Sequence, residues 1–141
     1  MKVYLDTSVI LRKILGERGA LKDWGRWRGC YTSEITSVEA MRALDRLRLE
    51  GWLLDVEMAE KMRLLRKVFS ATGVIVLNRA VLEKASQSFP TVVATLDAIH
   101  LASAMAYGEE RDEELIFLTH DRQLGLAAQA MGLDVRGVSG Q

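Results

Sequence analysis

Cysteine, histidine and proline are almost missing from this chain of 141 residues, which has one Cys, two His and one Pro. The single cysteine rules out an internal disulfide. Together with His100 and His120 it also leaves too few of the usual ligands for a four-coordinate structural zinc site. Cys30, in GCYTS, reads as a small buried strand residue, with a nucleophilic thiol as the alternative. Long apolar runs are missing too. Nothing approaches the roughly 18 consecutive apolar residues of a membrane span, and Met1-Lys2 leads directly into a short strand rather than into the apolar centre of a signal peptide. A cytoplasmic protein without membrane contact is expected. No Pro/Gly/Ser-rich linker, repeat or low-complexity tract divides the chain, so residues 1–141 are read as one domain.

Net charge is zero but unevenly spread: Met1 to Thr72 holds 14 Lys/Arg against 10 Asp/Glu, and Gly73 to Gln141 holds 5 against 9. The N-terminal half is the better candidate for meeting a phosphate backbone, with an ordinary solvated surface as the alternative.

The apolar residues fall into alternating short runs and helical periodicities. Lys2 to Asp6 predicts a first strand, Thr7-Ser8 a cap, and Val9 to Leu15 a helix. Ala20 to Arg28 reads as a second short helical piece and Cys30 to Thr32 as a brief strand. Helices follow over Ser37 to Glu50 and over Asp55 to Ser70, where Met58, Met62, Leu65 and Phe69 recur at helical spacing. Val74 to Leu77 predicts a buried strand, Ala80 to Ser88 a helix ending before Pro90, and Leu96 to Tyr107 a helix. Glu109 to Glu114 reads as a solvated loop, Leu115 to Leu118 as a strand, Gln123 to Met131 as a helix and Val135 to Val138 as a last strand. Strands alternating with helices predict an α/β fold, a parallel sheet covered on both faces.

Four acids stand where the chain leaves a strand or enters a helix: Asp6 in KVYLDTSVI, Glu39 in TSVEAMRAL, Asp97 in TLDAIHLASA and Asp121 in IFLTHDRQLG. Ligands of open α/β sheets bind at the carboxyl ends of the strands, and this placement aims four carboxylates at that rim. Such a cluster repels itself unless a cation sits among them, and oxygen-only ligands suit Mg²⁺ or Mn²⁺. Each acid also has a plainer reading. Thr36-Ser37-Val38-Glu39 matches a capping box, Asp6 and Asp121 can cap the helices that follow them, and Asp97 can complement a helix dipole. The two readings are compatible, because a helix N-terminus favours the ionised carboxylate that a metal ligand requires.

The segments LDTSVI, TSVEAMRAL, LDAIHLASA and LTHDRQLGLAAQAMGLDV, in this order and spacing, resemble the PIN-domain ribonucleases, in particular the VapC-type toxins of toxin–antitoxin pairs. The resemblance covers essentially the whole chain. It implies a three-layer α/β/α sandwich with a mainly parallel central sheet and a Mg²⁺- or Mn²⁺-dependent endoribonuclease. It implies an acidic site at Asp6, Glu39, Asp97 and Asp121, with RNA as substrate, an antitoxin protein as partner and a homodimer. Asp6 and Asp97 are expected as direct metal ligands, with Glu39 and Asp121 completing the set and one of them accepting the proton of the attacking water.

Other residues divide between functional and ordinary roles. Ser8 and Thr119 lie beside acids, but helix-cap and strand-end roles suffice for them. His100, three residues after Asp97 on one helix, is read as a hydrogen-bonded buried histidine, with contact to the acidic site as the alternative, and His120 as pointing away from its neighbours. Arg42 and Arg46 share the helix face of Glu39 and could guide RNA, or Arg42 could pair with Glu39. Trp24 and Trp27, near Leu21 and among Lys22, Arg26 and Arg28, are read with the helix from Val38 to Leu49 as a protein–protein surface, base stacking and core packing being the alternatives. Two readings of another class are a non-catalytic α/β binding module and a receiver-like domain with an acidic Mg²⁺ pocket.

Overall fold

Residues 1–138 are described by the computed structural model, and residues 139–141 of the expected domain lie outside it. The five strands are β1 (Lys2–Leu5), β2 (Gly29–Ser33), β3 (Gly73–Ile75), β4 (Leu115–Leu118) and β5 (Asp134–Arg136). They form one sheet in the order β3-β2-β1-β4-β5, and every pairing is parallel. The helices are α1 (Thr7–Ile14), α2 (Ile35–Leu49), α3 (Asp55–Ser70), α4 (Arg79–Ala85), α5 (Thr95–Arg111) and α6 (Arg122–Ala130). This strand order separates the chain from receiver-like folds, whose sheets run 2-1-3-4-5, and the receiver reading falls on that difference.

Strand β1 shows why both faces are covered. Val3 and Leu5 project into a core with Val9, Ile10 and Ile14 of α1, Ala40 and Leu44 of α2, and Met58 and Leu65 of α3. Tyr4, pointing the other way, joins Leu101 and Ala104 of α5, Phe117 of β4 and Leu124 and Ala128 of α6. Period-two alternation with both faces apolar marks a central strand of a parallel sheet, and the result is the expected α/β/α sandwich.

Several boundaries differ from the sequence expectation, each for a local reason. Helix α1 starts at Thr7, because Asp6 is the cap: its side chain accepts from the Thr7 N–H and its carbonyl from the Val9 N–H. The expected helix over Ala20 to Arg28 is a series of turns. Gly25 lies in the left-handed region at φ 85°, which interrupts any helix there, while Trp24 and Trp27 pack edge to face at 5.2 Å and lean on the core. Strand β3 ends at Ile75 rather than Leu77, since the Leu77 N–H turns to the Glu34 carboxylate at 2.8 Å. As the sheet edge, β3 leaves Val74 and Val76 exposed, against the expected buried run. Strand β5 stops at Arg136, and the carbonyl of Gly137 is taken by the His120 ring at 2.7 Å.

The acidic segment Glu109 to Glu114 is only partly loop. Helix α5 continues through it to Arg111, whose guanidinium lies 4.0 Å from the centre of the Tyr107 ring. Asp112 then turns the chain in the left-handed conformation, and the Glu113 N–H closes on the Gly108 carbonyl at 3.0 Å. A Cβ on Gly108 would stand 2.8 Å from the Glu113 backbone oxygen. Gly108→Ala should therefore lose more by this contact, about 1–3 kcal/mol, than the roughly 1 kcal/mol alanine gains in helix propensity. Denaturant unfolding should show a net loss of stability, and a more stable variant would show that the helix end yields freely.

Candidate functional site

Where β1 and β4 lie side by side, the chain runs outward in opposite directions, to β2 and β3 on one side and to β5 on the other. This switch point opens a crevice at the carboxyl ends of the two strands. Asp6 leaves β1 here, tied to β4 by its N–H, which donates to the Leu118 carbonyl at 3.0 Å. Thr119, His120 and Asp121 follow β4 on the other lip.

Asp6 is buried, at 4% exposure, and its carboxylate is held on both oxygens. Oδ1 accepts from the Thr7 N–H at 2.8 Å, and Oδ2 accepts from the hydroxyls of Ser8 at 2.7 Å and Thr119 at 2.8 Å. Thr119 and Ser8 thus serve the acid directly, beyond the cap and strand-end roles that sufficed for them in sequence. Thr119 also accepts from the Asp121 N–H at 3.0 Å and Ser8 from the His120 N–H at 3.0 Å, so one hydroxyl network joins both lips of the crevice.

Glu39 arrives from α2, on the opposite side of Asp6. The capping box suggested by Thr36 and Glu39 does not form. Helix α2 begins at Ile35 with no side-chain cap bond, and the Thr36 hydroxyl instead bonds that of Thr32 at 2.7 Å. This leaves Glu39 one turn into the helix and free to meet the Thr7 hydroxyl at 2.7 Å and His100 Nε2 at 2.5 Å, both on Oε1. The Glu39–Arg42 pair, the alternative to RNA guidance, is likewise not made; Arg42 bridges to Asp45 at 3.2 Å.

His100 is buried at 1% exposure, as the sequence suggested, but it belongs to the acidic site. Its Nε2 stands 3.5 Å from Asp6 Oδ1, and its Nδ1 is 2.6 Å from the hydroxyl of the fully buried Tyr4. Burial alone would lower the imidazole pKa, but the Glu39 hydrogen bond and the charges of Asp6, Glu39 and Asp97 raise it above its ordinary value. In turn, burial would lift the Glu39 carboxyl, yet the His100 and Thr7 bonds bring it below its ordinary value. The Tyr4 hydroxyl, raised by burial and by the two acids, stays protonated.

Asp97 is the third residue of α5 and half-buried; His100 lies three residues further along the same helix. Its pKa rises from 3.8 to about 6, first through burial and then through the charges of Asp121, Asp6 and Glu39, with His100 opposing. The repulsion that the spacing of the acids suggested is felt at this residue. Asp121 caps α6, its Oδ1 accepting from the Leu124 N–H at 3.0 Å, so the capping reading and a place at the rim hold together.

The donor chemistry suits a hard divalent cation: carboxylate oxygens alone, one of them carrying unrelieved repulsion. Glu39 Oε2 and Asp121 Oδ2 take no part in the bonds described above. As they stand, no three His, Cys, Asp or Glu side chains among the described residues are arranged to hold a metal ion. Sequence reasoning proposed the four acids and did not name Tyr4 or Thr7 beside them. The one available signal for His100 was its spacing of one helical turn from Asp97.

Outside the crevice, Trp24 and Trp27 line an apolar cavity of about 460 Å³ with Ile14, Cys30 and Val68, so core packing explains much of their placement. Among the described residues no helix is long and apolar enough to cross a membrane.

Known proteins resemble this chain over most of its length. Ribonuclease VapC46 of Mycobacterium tuberculosis is 30% identical over 136 residues, covering 94% of this chain and 95% of that protein. Ribonuclease VapC49 of the same species is 29% identical over 137 residues, covering 94% and 93%. Among solved structures, FitAB bound to the IR36 DNA fragment is similar with a TM-score of 0.70 at 16% identity, covering 96% of this chain and 94% of that one. FitAcB from Neisseria gonorrhoeae gives a TM-score of 0.67 at 17% identity, covering 96% of each chain. At these identities the two structures speak for the fold. The PIN domain family model matches residues 3–129, and this chain, with its parallel sheet and acidic switch-point crevice, belongs to the PIN-domain family.

Proposed function

We propose that this protein is a Mg²⁺- or Mn²⁺-dependent endoribonuclease acting as the toxin of a toxin–antitoxin pair, with Asp6, Glu39, Asp97 and Asp121 as its metal-site and catalytic acids. The observation that carries this reading is the geometry at the sheet's switch point, where His100 stands between buried Asp6 and Glu39 and where the half-buried Asp97 is raised first by burial and then by the charges of the other acids, which a divalent cation would relieve. The relatives named as VapC ribonucleases support the RNA substrate and the toxin role. The likeness to FitAB and FitAcB supports the fold on which that role rests.

An ion bound at this site would neutralise phosphate charge and lower the pKa of a water molecule. The chain's own residues supply the rest. Asp6, fixed on both oxygens, and Asp97 would hold the ion. Glu39, fixed on one oxygen, and Asp121 would complete its shell, and one of these two would accept the proton of the water that attacks phosphorus as the phosphodiester P–O bond breaks. Arg42 and Arg46 lie on the helix of Glu39 and offer positive charge to the RNA backbone.

Antitoxin-free protein should cleave single-stranded RNA in Mg²⁺ or Mn²⁺ and lose this activity in EDTA. Asp97→Asn should abolish it as well, since an amide keeps the shape and removes the charge. Cleavage that persists in EDTA or in the variant would refute the mechanism, and a wild type that binds RNA without cutting it would favour a non-catalytic module.

The pKa of Asp97 gives a stability test. A carboxyl raised in the folded state adds stability below its unfolded value near 3.8 and loses that contribution as pH rises through about 6. Metal-free Asp97→Asn should match wild type at pH 4 and exceed it at pH 8. A shift of two units in a buried group is worth about 3 kcal/mol, and the half exposure of Asp97 reduces this to about 1 kcal/mol. A wild type more stable at pH 8 would mean that the α5 dipole outweighs the repulsion.

The toxin role and its partners are tested in cells and in solution. Expression should arrest growth, Asp97→Asn should relieve the arrest, and sedimentation should give a homodimer. Unimpaired growth with soluble, active protein would remove the toxin assignment and leave a nuclease of other purpose.

A further inference from the structure

The site contains a polar column that the assigned roles do not use. It runs from Phe117 of β4, through Tyr4 of β1 and His100 of α5, to Glu39 of α2. Tyr4 is fully buried and stacked on Phe117 with ring centres 5.1 Å apart and planes 10° apart, and it meets the His100 ring edge-on at 5.9 Å. Packing on the sheet therefore fixes the tyrosine, whose hydroxyl in turn fixes His100 Nδ1 at 2.6 Å. What remains is Nε2, and its partner at 2.5 Å is Glu39 Oε1.

We infer that His100, anchored by Tyr4, is a positioning residue for Glu39, fixing one carboxylate oxygen so that the other is presented to a divalent cation. Both hydrogen bonds described for Glu39, from His100 and from the Thr7 hydroxyl, fall on Oε1. A glutamate has three side-chain torsions to restrain, and α2 alone restrains few of them. Thr7 offers one donor and also lies 3.3 Å from His100 Nε2, so the two work as a clamp. The column reaches across the end of the sheet: α2 belongs to the core on one face, and Tyr4 and α5 belong to the core on the other. Without it, the acid from α2 would have only Thr7 to register it against the acids of β1 and α5. A second donor that orients a metal-binding carboxylate is an arrangement whose loss commonly weakens metal binding roughly ten- to hundredfold.

This inference rests on the proposed metal site, and two measurements separate their failures. In the first, Mn²⁺ alone is titrated calorimetrically into antitoxin-free wild type, His100→Leu, His100→Gln, Glu39→Gln and the His100→Leu/Glu39→Gln double variant. His100→Leu should weaken Mn²⁺ binding roughly ten- to hundredfold, and His100→Gln, which restores an amide donor, should recover most of the loss. The leucine should have no further effect once Glu39 is glutamine, because its route is through that carboxylate. Unchanged affinity in His100→Leu, or an equal loss in both backgrounds, would overturn the inference. Absence of Mn²⁺ binding by wild type, or full binding by Glu39→Gln, would overturn the metal reading itself. The second measurement needs no metal: crystal structures of wild type and His100→Leu, or His100→Gln if the leucine variant does not fold, should show Glu39 displaced with leucine and retained with glutamine. A Glu39 side chain unmoved in His100→Leu would exclude positioning whatever the metal result.

Discussion

The parallel pairing of β1 with β4, which sets Asp6 beside the residues that follow β4, is the constraint on which the site of this molecule depends. Two of the acids are accommodated with hydrogen bonds: Asp6 by a backbone N–H and two hydroxyls, Glu39 by Thr7 and His100. Asp121 is accommodated by the N-terminus of α6, whose N–H groups it caps. Asp97 shares in none of these bonds, and burial first and the neighbouring charges second raise its pKa to about 6. The donors are themselves fixed by the sheet. Asp6 is pinned to Leu118 through the backbone, and Tyr4 is pinned to Phe117 by stacking. The site is thus paid for by the adjacency of two strands whose sequence separation exceeds one hundred residues.

How much of this was legible in the chain depended on the range of the interaction. Helix α3 was read with its full bounds, because Met58, Met62, Leu65 and Phe69 recur at helical spacing within it, a signal that lies wholly inside the element. The four acids could be proposed from the sequence because strand ends and helix starts are local features, and parallel sheets gather such positions at one rim. The turns over Ala20 to Arg28 were not legible. Their apolar spacing imitates a helix, and what decides against it is Gly25 together with the packing of the two tryptophans on distant side chains. The end of α5 was misjudged because a dense charge run resembles a solvated loop, whereas a helix surface carries charges equally well.

The partners of Tyr4, Thr7 and His100 lay beyond sequence reasoning for a different reason, although the spacing of His100 from Asp97 allowed contact with the site. Each is an ordinary residue of its element, a strand tyrosine, a first-turn threonine and a helical histidine. Their contacts join positions 96, 93 and 32 residues apart. No period or motif encodes such a contact. It exists only once α2 and α5 are stacked on opposite faces of one sheet. A bland reading of His100 as a satisfied core histidine was correct in its burial and incomplete in its partners.

The sheet ends on both sides in strands of three residues, β3 and β5. Exposed strand edges are templates onto which another chain can add a strand, and their danger grows with length and flatness. At three residues these margins offer a newcomer only a few backbone groups. On the β5 side the next carbonyl, that of Gly137, is already occupied by His120. Growth of the sheet from one molecule into the next is therefore discouraged despite the apolar Val74 on the β3 margin.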